Sequence, residues 1–394
     1  MFFVDRPYVS DFFKTTVKEH GIPVVDTPAA REIGLLPGTR LIAEADALAG
    51  RGTATPLYMT SENAIGRLDG SSVFAPLRAA IDAFKDKAKF REITRPLFPD
   101  FFFRAVPFAD LAQIDPETLP LPCVVKPSVG FFSMGVHRVD TPAGWRAAVA
   151  AIAADIAKVR GLYPASVLDA GTFLIEQCIE GEEFAVDAYF DADGAPVVLG
   201  VYRHMFSSAD DVGDRVYLTS KAIVRDNLAA LTGFLARIGA VTGSRSFPVH
   251  VELRRTATGA LLPIEVNPMR FGGWCTTADV TSLAHGINPY LLYFKGEKPD
   301  WTRILDTADT AVHSIVVLDN STGYAAEKIS AFDYDALLAG FEKPLELRRI
   351  DYAAYPVFGF LFAETRADNM AELQRILRSD LREFTRLRET APAS

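Results

Sequence analysis

The chain has 394 residues, 49% of them hydrophobic and 23% charged, with 28 phenylalanines. That composition excludes a disordered chain, and the length exceeds one ordinary core, so two or three packed units are expected. A net charge of −9 with no basic stripe excludes a nucleic-acid binder and disfavours an acidic membrane surface.

The N-terminal stretch MFFVDRPYVSDFF has Asp5, Arg6 and Pro7 too early for a signal peptide, and no apolar run approaches the length of a membrane span. The cytoplasm is the expected location. Cys123, Cys178 and Cys275 are far apart with no CxxC pair, which argues against a disulfide framework or a zinc site. Residues 1–28 read strand, helix, strand, with Ser10 as N-cap of the Phe12, Phe13, Val17 pattern and Gly21 at its end. The alternation continues through LLPGTRLIAEADAL, giving a small α/β layer. It lacks a GxGxxG turn and is not read as a dinucleotide site.

A single helix is expected from Ala75 to Thr94, ending before Pro96. LPCVVKPSVGFFSMGVHRVD reads strand, glycine loop, strand, and TPAGWRAAVAAIAADIAKVRG reads as a helix closed by Gly161. FLIEQCI and EFAVDAYF are strands; the turn DADG leads EFAVDAYF into a hairpin with PVVLGVYRH. A helix over 227–240 precedes two strands, FPVHVELRR and ALLPIEVN, joined by TATG. Beyond residue 300, HSIVVLDN and FGFLFAET read as strands. Leu373, Ile376, Leu377, Leu381, Phe384 and Leu387 form a helical stripe. The EKP segment near Pro299 is the expected linker to this C-terminal α+β unit.

The most informative chemistry lies between Val249 and Asn267. Side chains alternate along a strand, so His250, Glu252 and Arg254 share one face of the first strand. Pro263, Glu265 and Asn267 share one face of the second. If the strands pair, Glu252, Glu265 and Asn267 converge, offering two carboxylates and an amide oxygen, which suits Mg²⁺. The ordinary alternative is a hairpin with a wet polar face. Arg270 follows, suited to bidentate binding of a carboxylate or phosphate, or else a surface arginine before a loop. In SVGFFSMGV, Gly130 and Gly135 let backbone N–H groups turn toward an anion, and Ser128 and Ser133 add hydroxyls. Lys126 ends an apolar strand, where its charge needs a nearby anion or an escape to the surface. Lys87 sits in FKDKAKFRE, a pattern equally readable as a solvated helix face. In FLIEQCIEGEEFAVD, Glu176 and Glu183 flank a crossover that offers an apolar slot with backbone hydrogen bonds; acids in a solvated turn are the plain alternative.

These segments, in this order from about Lys85 to Gly273, resemble the ATP-grasp superfamily. The resemblance implies an ATP-grasp fold of mixed α/β and α+β class. Its expected units are an N-terminal α/β domain (1–84), a small subdomain with the lysines and glycine loop (85–175), a central subdomain with the adenine hinge and metal hairpin (176–299) and a C-terminal α+β region (300–394). It further implies Lys87 and Lys126 on the nucleotide, and Ser128, Gly130, Ser133 and Gly135 in the phosphate loop. Glu176 would receive the adenine amino group, Gln177 and Ile179 would face the ring edge through their backbones, and Glu183 would hold the ribose. Glu252, Glu265 and Asn267 would be metal ligands. Two departures stand out: Phe131 and Phe132 occupy a loop tip that is usually small, and the chain reads NPMR where many relatives read NPR, which displaces Arg270 by one residue.

The implied activity is ligation: ATP with Mg²⁺, or Mn²⁺ in its place, activates a carboxylate as an acyl phosphate, which an amine then attacks. Lys126 and Arg270 are the expected catalytic groups. Arg203, His204, Arg215, Lys221 and His250 are weaker candidates for substrate contacts. The family often dimerises, so a homodimer is allowed. A small-molecule kinase and a non-catalytic nucleotide sensor are the alternative readings.

Overall fold

The computed structural model describes residues 1–50, 56–130, 135–159, 169–208 and 213–388. Gly161 and the loop residues Phe131, Phe132 and Ser133 lie outside them.

The N-terminal layer is a parallel four-stranded sheet in the order Leu41–Ala43, Val24–Asp26, Phe2–Phe3, Tyr58–Met59. The Ser10 hydroxyl accepts the Phe13 N–H at 3.1 Å and so starts the helix Asp11–Glu19. Phe2, Phe13 and Tyr58 pack against Phe271, Tyr290 and Tyr293, so this layer rests on the chain just beyond the strand Leu261–Pro268. The Met59 N–H donates to the Met269 carbonyl at 2.8 Å along the same seam.

A second sheet, antiparallel, has the order Phe103–Pro107, Asp169–Gln177, Cys123–Val129, His137–Val139. The helix Trp145–Val159 covers it, burying Trp145 and Ile152 with Val125, Phe173 and Ile175.

The largest sheet runs in the order Leu261–Pro268, Phe247–Arg255, Glu182–Phe190, Pro196–Met205, Val216–Thr219, Val312–Asp319, Val357–Thr365, Lys343–Arg349. Its neighbours are all antiparallel. The helix Lys221–Thr242 lies on one face, capped by the Ser220 hydroxyl at its start and by left-handed Gly243 at its end. It is longer than the expected 227–240, because the Ser220 cap starts it at Lys221 and Val224, buried in the core, anchors its first turn.

Three expectations change. The helix expected over Ala75–Thr94 is two helices, Ala75–Lys85 and Lys87–Thr94. Asp86 between them is extended, and its carboxylate accepts the Ala88 and Lys89 N–H groups at 3.0 and 3.2 Å. A short acid that satisfies the orphan donors of a new helix start competes well with helix continuation. The two strands expected after residue 300, HSIVVLDN and FGFLFAET, do not stand apart: Val312–Asp319 pairs with Val216–Thr219 and with Val357–Thr365, extending the large sheet, while Ile329–Phe332 and Thr385–Leu387 form a separate two-stranded pair. The C-terminal apolar stripe is not one helix either. Leu373, Ile376 and Leu377 are on the helix Ala371–Arg378, but Leu381 has φ +63° and turns the chain, leaving Phe384 in a 3₁₀ turn and Leu387 in the strand Thr385–Leu387.

Candidate active site

The two predicted metal strands pair antiparallel, with Glu252 directly opposite Glu265 and His250 opposite Asn267. The expected face needs one correction. The register shifts after Glu252, so Leu253 faces Pro263 and Ile264 is an extra, bulged residue. Pro263 therefore lies on the opposite face from Glu265, not beside it. Proline has no N–H to give the ladder, which favours a bulge there. Glu252 and Glu265 are about three-quarters buried, at 24% and 25% side-chain exposure. Burial and then repulsion from Glu265 push the Glu252 carboxyl up to about 7. Burial also works against ionised Glu265, but Lys87, the Asn267 hydrogen bond and Lys126 together offset it and hold that carboxyl down to about 2. The Asn267 amide donates to Glu265 Oε1 at 3.1 Å. A divalent cation would remove the repulsion between the two acids, so this donor set fits Mg²⁺ or Mn²⁺.

Lys87 is not a solvated surface lysine. The break at Asp86 places it in the first turn of a new helix, with Nζ 3.0 Å from Glu265 Oε2 and donating to the Gly130 carbonyl at 3.3 Å. Lys126 is buried and paired with Glu176. Burial lowers its pKa, and Glu176 offsets part of that. Ser128 donates to Asp86 and accepts the Ala88 N–H at 3.2 Å, which ties the start of the loop to the Lys87 helix. Gly135, at the far end of the loop, has φ +69°, and a Cβ there would come 3.3 Å from Pro127. Lys87, Lys126 and the two flanks of the glycine loop thus gather beside the acid pair.

The hinge differs from expectation in detail. Both Glu176 oxygens are engaged, one by Lys126 and the other by Arg91 at 2.8 Å, so this buried acid is an internal ion-pair centre rather than an open acceptor. The Gln177 N–H donates to the Phe102 carbonyl, and the Ile179 carbonyl accepts from Arg254 at 2.6 Å. Glu183 accepts from His204 Nδ1 at 3.0 Å and from Arg254 Nε at 2.9 Å. His204 stacks on Tyr217, with centroids 4.3 Å apart.

Arg270 contacts Glu62, with Nε and a terminal nitrogen at 3.0 and 2.9 Å from one carboxylate oxygen, and Glu62 also pairs with Lys85. Burial opposes the Glu62 charge, but Arg270 and Lys85 outweigh it and lower its pKa. The extra residue of NPMR is Met269, buried with φ +65°. Of the weaker candidates, Arg215 is spent on Asp319 and on the carbonyls of Ile376 and Ser379. Lys221 is paired with Asp309. Arg203 and His204 line a cleft of about 420 Å³ with Glu182, Phe206, Met370 and Gln374.

Four residues of the site escaped the sequence reading: Glu62, Arg91, Asp187 and Arg254 as a hinge contact. Asp187 is fully buried, accepts from His250 Nδ1 at 2.7 Å and from the Gly272 N–H at 3.0 Å, and so aims His250 Nε2 at Glu252, 3.6 Å away. An acid inside the apolar run EFAVDAYF was its available signal. Arg91 had one too: four residues after Lys87, it shares that residue's helix face once the helix starts at Lys87.

Residues 119–278 match the model of the ATP-grasp domain family. The chain carries an ATP-grasp domain and has the ATP-grasp fold. No curated protein matches the sequence. Among solved ATP-grasp structures, the L-amino acid ligase from Bacillus licheniformis superposes with a TM-score of 0.71 at 18% identity, over 99% of this chain and 98% of that one. The N5-carboxyaminoimidazole ribonucleotide synthetase from Thermotoga maritima gives 0.64 at 14%, over 98% of both chains. Biotin carboxylase from Campylobacter jejuni gives 0.61 at 12%, over 98% of this chain and 92% of that one. These identities speak for a shared ATP-grasp fold that includes the N- and C-terminal regions. No helix among the described residues is long and apolar enough to cross a membrane.

Proposed function

We propose that this chain is an ATP- and Mg²⁺-dependent ligase that activates a small carboxylate as an acyl phosphate, releases ADP and joins the acyl group to an amine. The observation that carries the reading is the Glu252–Glu265 pair, set face to face on paired strands inside the matched ATP-grasp domain, with Lys87 reaching in from outside the matched residues to 3.0 Å of Glu265. Similarity to an L-amino acid ligase supports amino-acid-like substrates. A supply of ATP and small substrates suits a cytoplasmic enzyme.

In this reading adenine lies against the hinge, where the Gln177 carbonyl and Ile179 N–H meet its edge, and Glu183 faces the ribose. Glu252, Glu265 and Asn267 would hold Mg²⁺, which would supply charge neutralisation at the phosphates. Lys87 and Lys126 exchange carboxylate partners for phosphate oxygens, and their charge offsets what builds up on the transferring phosphoryl group. The substrate carboxylate attacks the γ-phosphorus and the bond to the β–γ bridging oxygen breaks, leaving ADP. The amine lone pair then attacks the acyl carbon; phosphate departs with the C–O bond electrons, and the nitrogen loses a proton. Arg270, held by Glu62 at the mouth of the metal strand, orients the carboxylate.

The test is ADP release with Mg-ATP and a panel of carboxylates and amines, with hydroxylamine as trap. Ligation predicts release dependent on the carboxylate, and a hydroxamate when the amine is replaced by hydroxylamine. A stable phosphate ester instead would make the protein a small-molecule kinase. Glu265→Ala turning over at the wild-type rate would overturn the metal assignment.

A further inference from the structure

The geometry points to Arg91 as a positioning residue that sets the phase of Glu265 and ties it to the nucleotide lysines. The inference rests on the nucleotide and metal reading above, and it concerns a residue that touches neither ligand in that reading.

Arg91 is 3% exposed and belongs to the helix Lys87–Thr94. Its guanidinium stacks over the Phe101 ring, 4.5 Å from the centroid. Nε donates to Glu176 Oε2 at 2.8 Å, while the other oxygen of Glu176 carries Lys126. On its far side, Nη1 donates to the Pro263 carbonyl at 2.7 Å and Nη2 reaches the Ile264 carbonyl at 3.5 Å. Those two carbonyls belong to the bulge in the metal strand.

The bulge decides which way Glu265 points. Side chains alternate with period two, so an extra residue between Pro263 and Glu265 inverts the phase of everything on one side of it. With Ile264 bulged, Glu265 stands opposite Glu252; in a regular ladder with the same Leu253–Pro263 pairing, Ile264 would stand there instead. A bulge also leaves carbonyls without ladder partners, and unmet carbonyls in a buried place are costly. Arg91 meets them. Its planar fork of five donors serves an acid on one edge and carbonyls on another, which the compact ammonium of lysine cannot do at the same time. One side chain therefore couples the hinge acid that holds Lys126, the bulge that aims Glu265 and, one helical turn away, the Lys87 that contacts Glu265.

The experiment compares wild type, R91K and R91Q in two titrations. One follows ATP binding in EDTA by calorimetry; the other follows Mn²⁺ binding by EPR in the presence of a non-hydrolysable ATP analogue. R91K keeps a cation beside Glu176 and is expected to keep metal-free ATP affinity within about threefold while Mn²⁺ affinity falls about tenfold or more, as when a hydrogen-bond partner behind a metal ligand is lost; R91Q, which also unpairs Glu176, should weaken both. In an E265Q background, R91K should change Mn²⁺ affinity by less than about twofold, because the two residues act through one carboxylate. Equal losses of both ligands in R91K, or an R91K effect that is the same with and without E265Q, would reduce Arg91 to a structural residue and overturn the inference. Wild-type protein that binds neither ATP nor Mn²⁺ would instead overturn the nucleotide reading beneath it.

Discussion

Lys87 Nζ stands 3.0 Å from Glu265 Oε2, so the nucleotide lysine and the metal carboxylate proposed from sequence are each other's partners. Burial works against the charge on Lys87, but Glu265 outweighs it and raises the lysine pKa. The ammonium thus neutralises the carboxylate that a divalent cation would need in the proposed site. Lys87→Met should therefore bind Mn²⁺ more tightly than wild type without nucleotide, by about tenfold given the strength of a partly buried charged hydrogen bond, and should bind ATP more weakly. EPR titration with and without ATP measures both; an unchanged nucleotide-free Mn²⁺ affinity would show that lysine and cation do not compete.

Asp187 gives a pH-dependent prediction. Burial disfavours a charged His250, but the hydrogen bonds to Asp187 and Glu252 overcome it and raise its pKa to about 9. A histidine whose folded pKa is raised contributes stability that is fully present below its unfolded value near 6.5 and is lost as pH rises through about 9. Asp187→Asn keeps the shape and removes the charge. Urea denaturation should show it destabilised by about 2–3 kcal/mol at pH 6, with a clearly smaller loss at pH 10. Equal losses at the two pH values would mean that His250 is not charged through Asp187.

His285 works in the opposite direction. Its Nδ1 is buried without a hydrogen-bond partner, Nε2 lies 3.2 Å from the Thr219 hydroxyl, and burial lowers its pKa to about 4. The unfolded chain then takes up a proton near pH 6.5 that the folded protein refuses until about pH 4, so stability declines as pH falls through that window. Replacing His285 by Gln should flatten the decline, which is on the order of 3 kcal/mol for a shift of this size. Melting temperatures at pH 7 and 4.5 test it: wild type should lose more than the variant.

The buried pair of Asp279 and Arg348 joins the helix after the metal hairpin to the last strand of the large sheet. The carboxylate lies 2.5 Å from the guanidinium, which also donates to the Trp274 carbonyl at 3.3 Å. Asp279→Ala would leave the buried guanidinium only the half-exposed Glu346 as a charged partner and should cost about 3 kcal/mol in chemical denaturation, whereas D279L/R348M should recover much of the loss. A loss near zero for the single variant would show that solvent or Glu346 already serves Arg348.

Much of the site was legible because it is written in local chemistry. The alternation in VHVELR and LPIEVN put Glu252 and Glu265 on facing positions, and the apolar strand before Lys126 marked a lysine in need of an anion. What failed were the places where a backbone interruption outranked periodicity. Asp86 caps a second helix inside an unbroken helical pattern, Pro263 sits at a bulge that shifts its own face, and Leu381 turns a chain whose apolar spacing still reads as helix.

The order of lysines, glycine loop, hinge and acid hairpin along the sequence carried the resemblance to ATP-grasp proteins, and residue type and spacing along strands decided that Glu252 and Glu265 can meet. Tertiary structure alone decided what each charge does. Glu176 is spent on Lys126 and Arg91, Arg270 is held by Glu62, and Asp187 reaches Glu252 only through His250. These partners come from elements far apart in sequence. Burial raises the cost of an unpaired charge, and only the packed fold determines which partner is near enough to meet it.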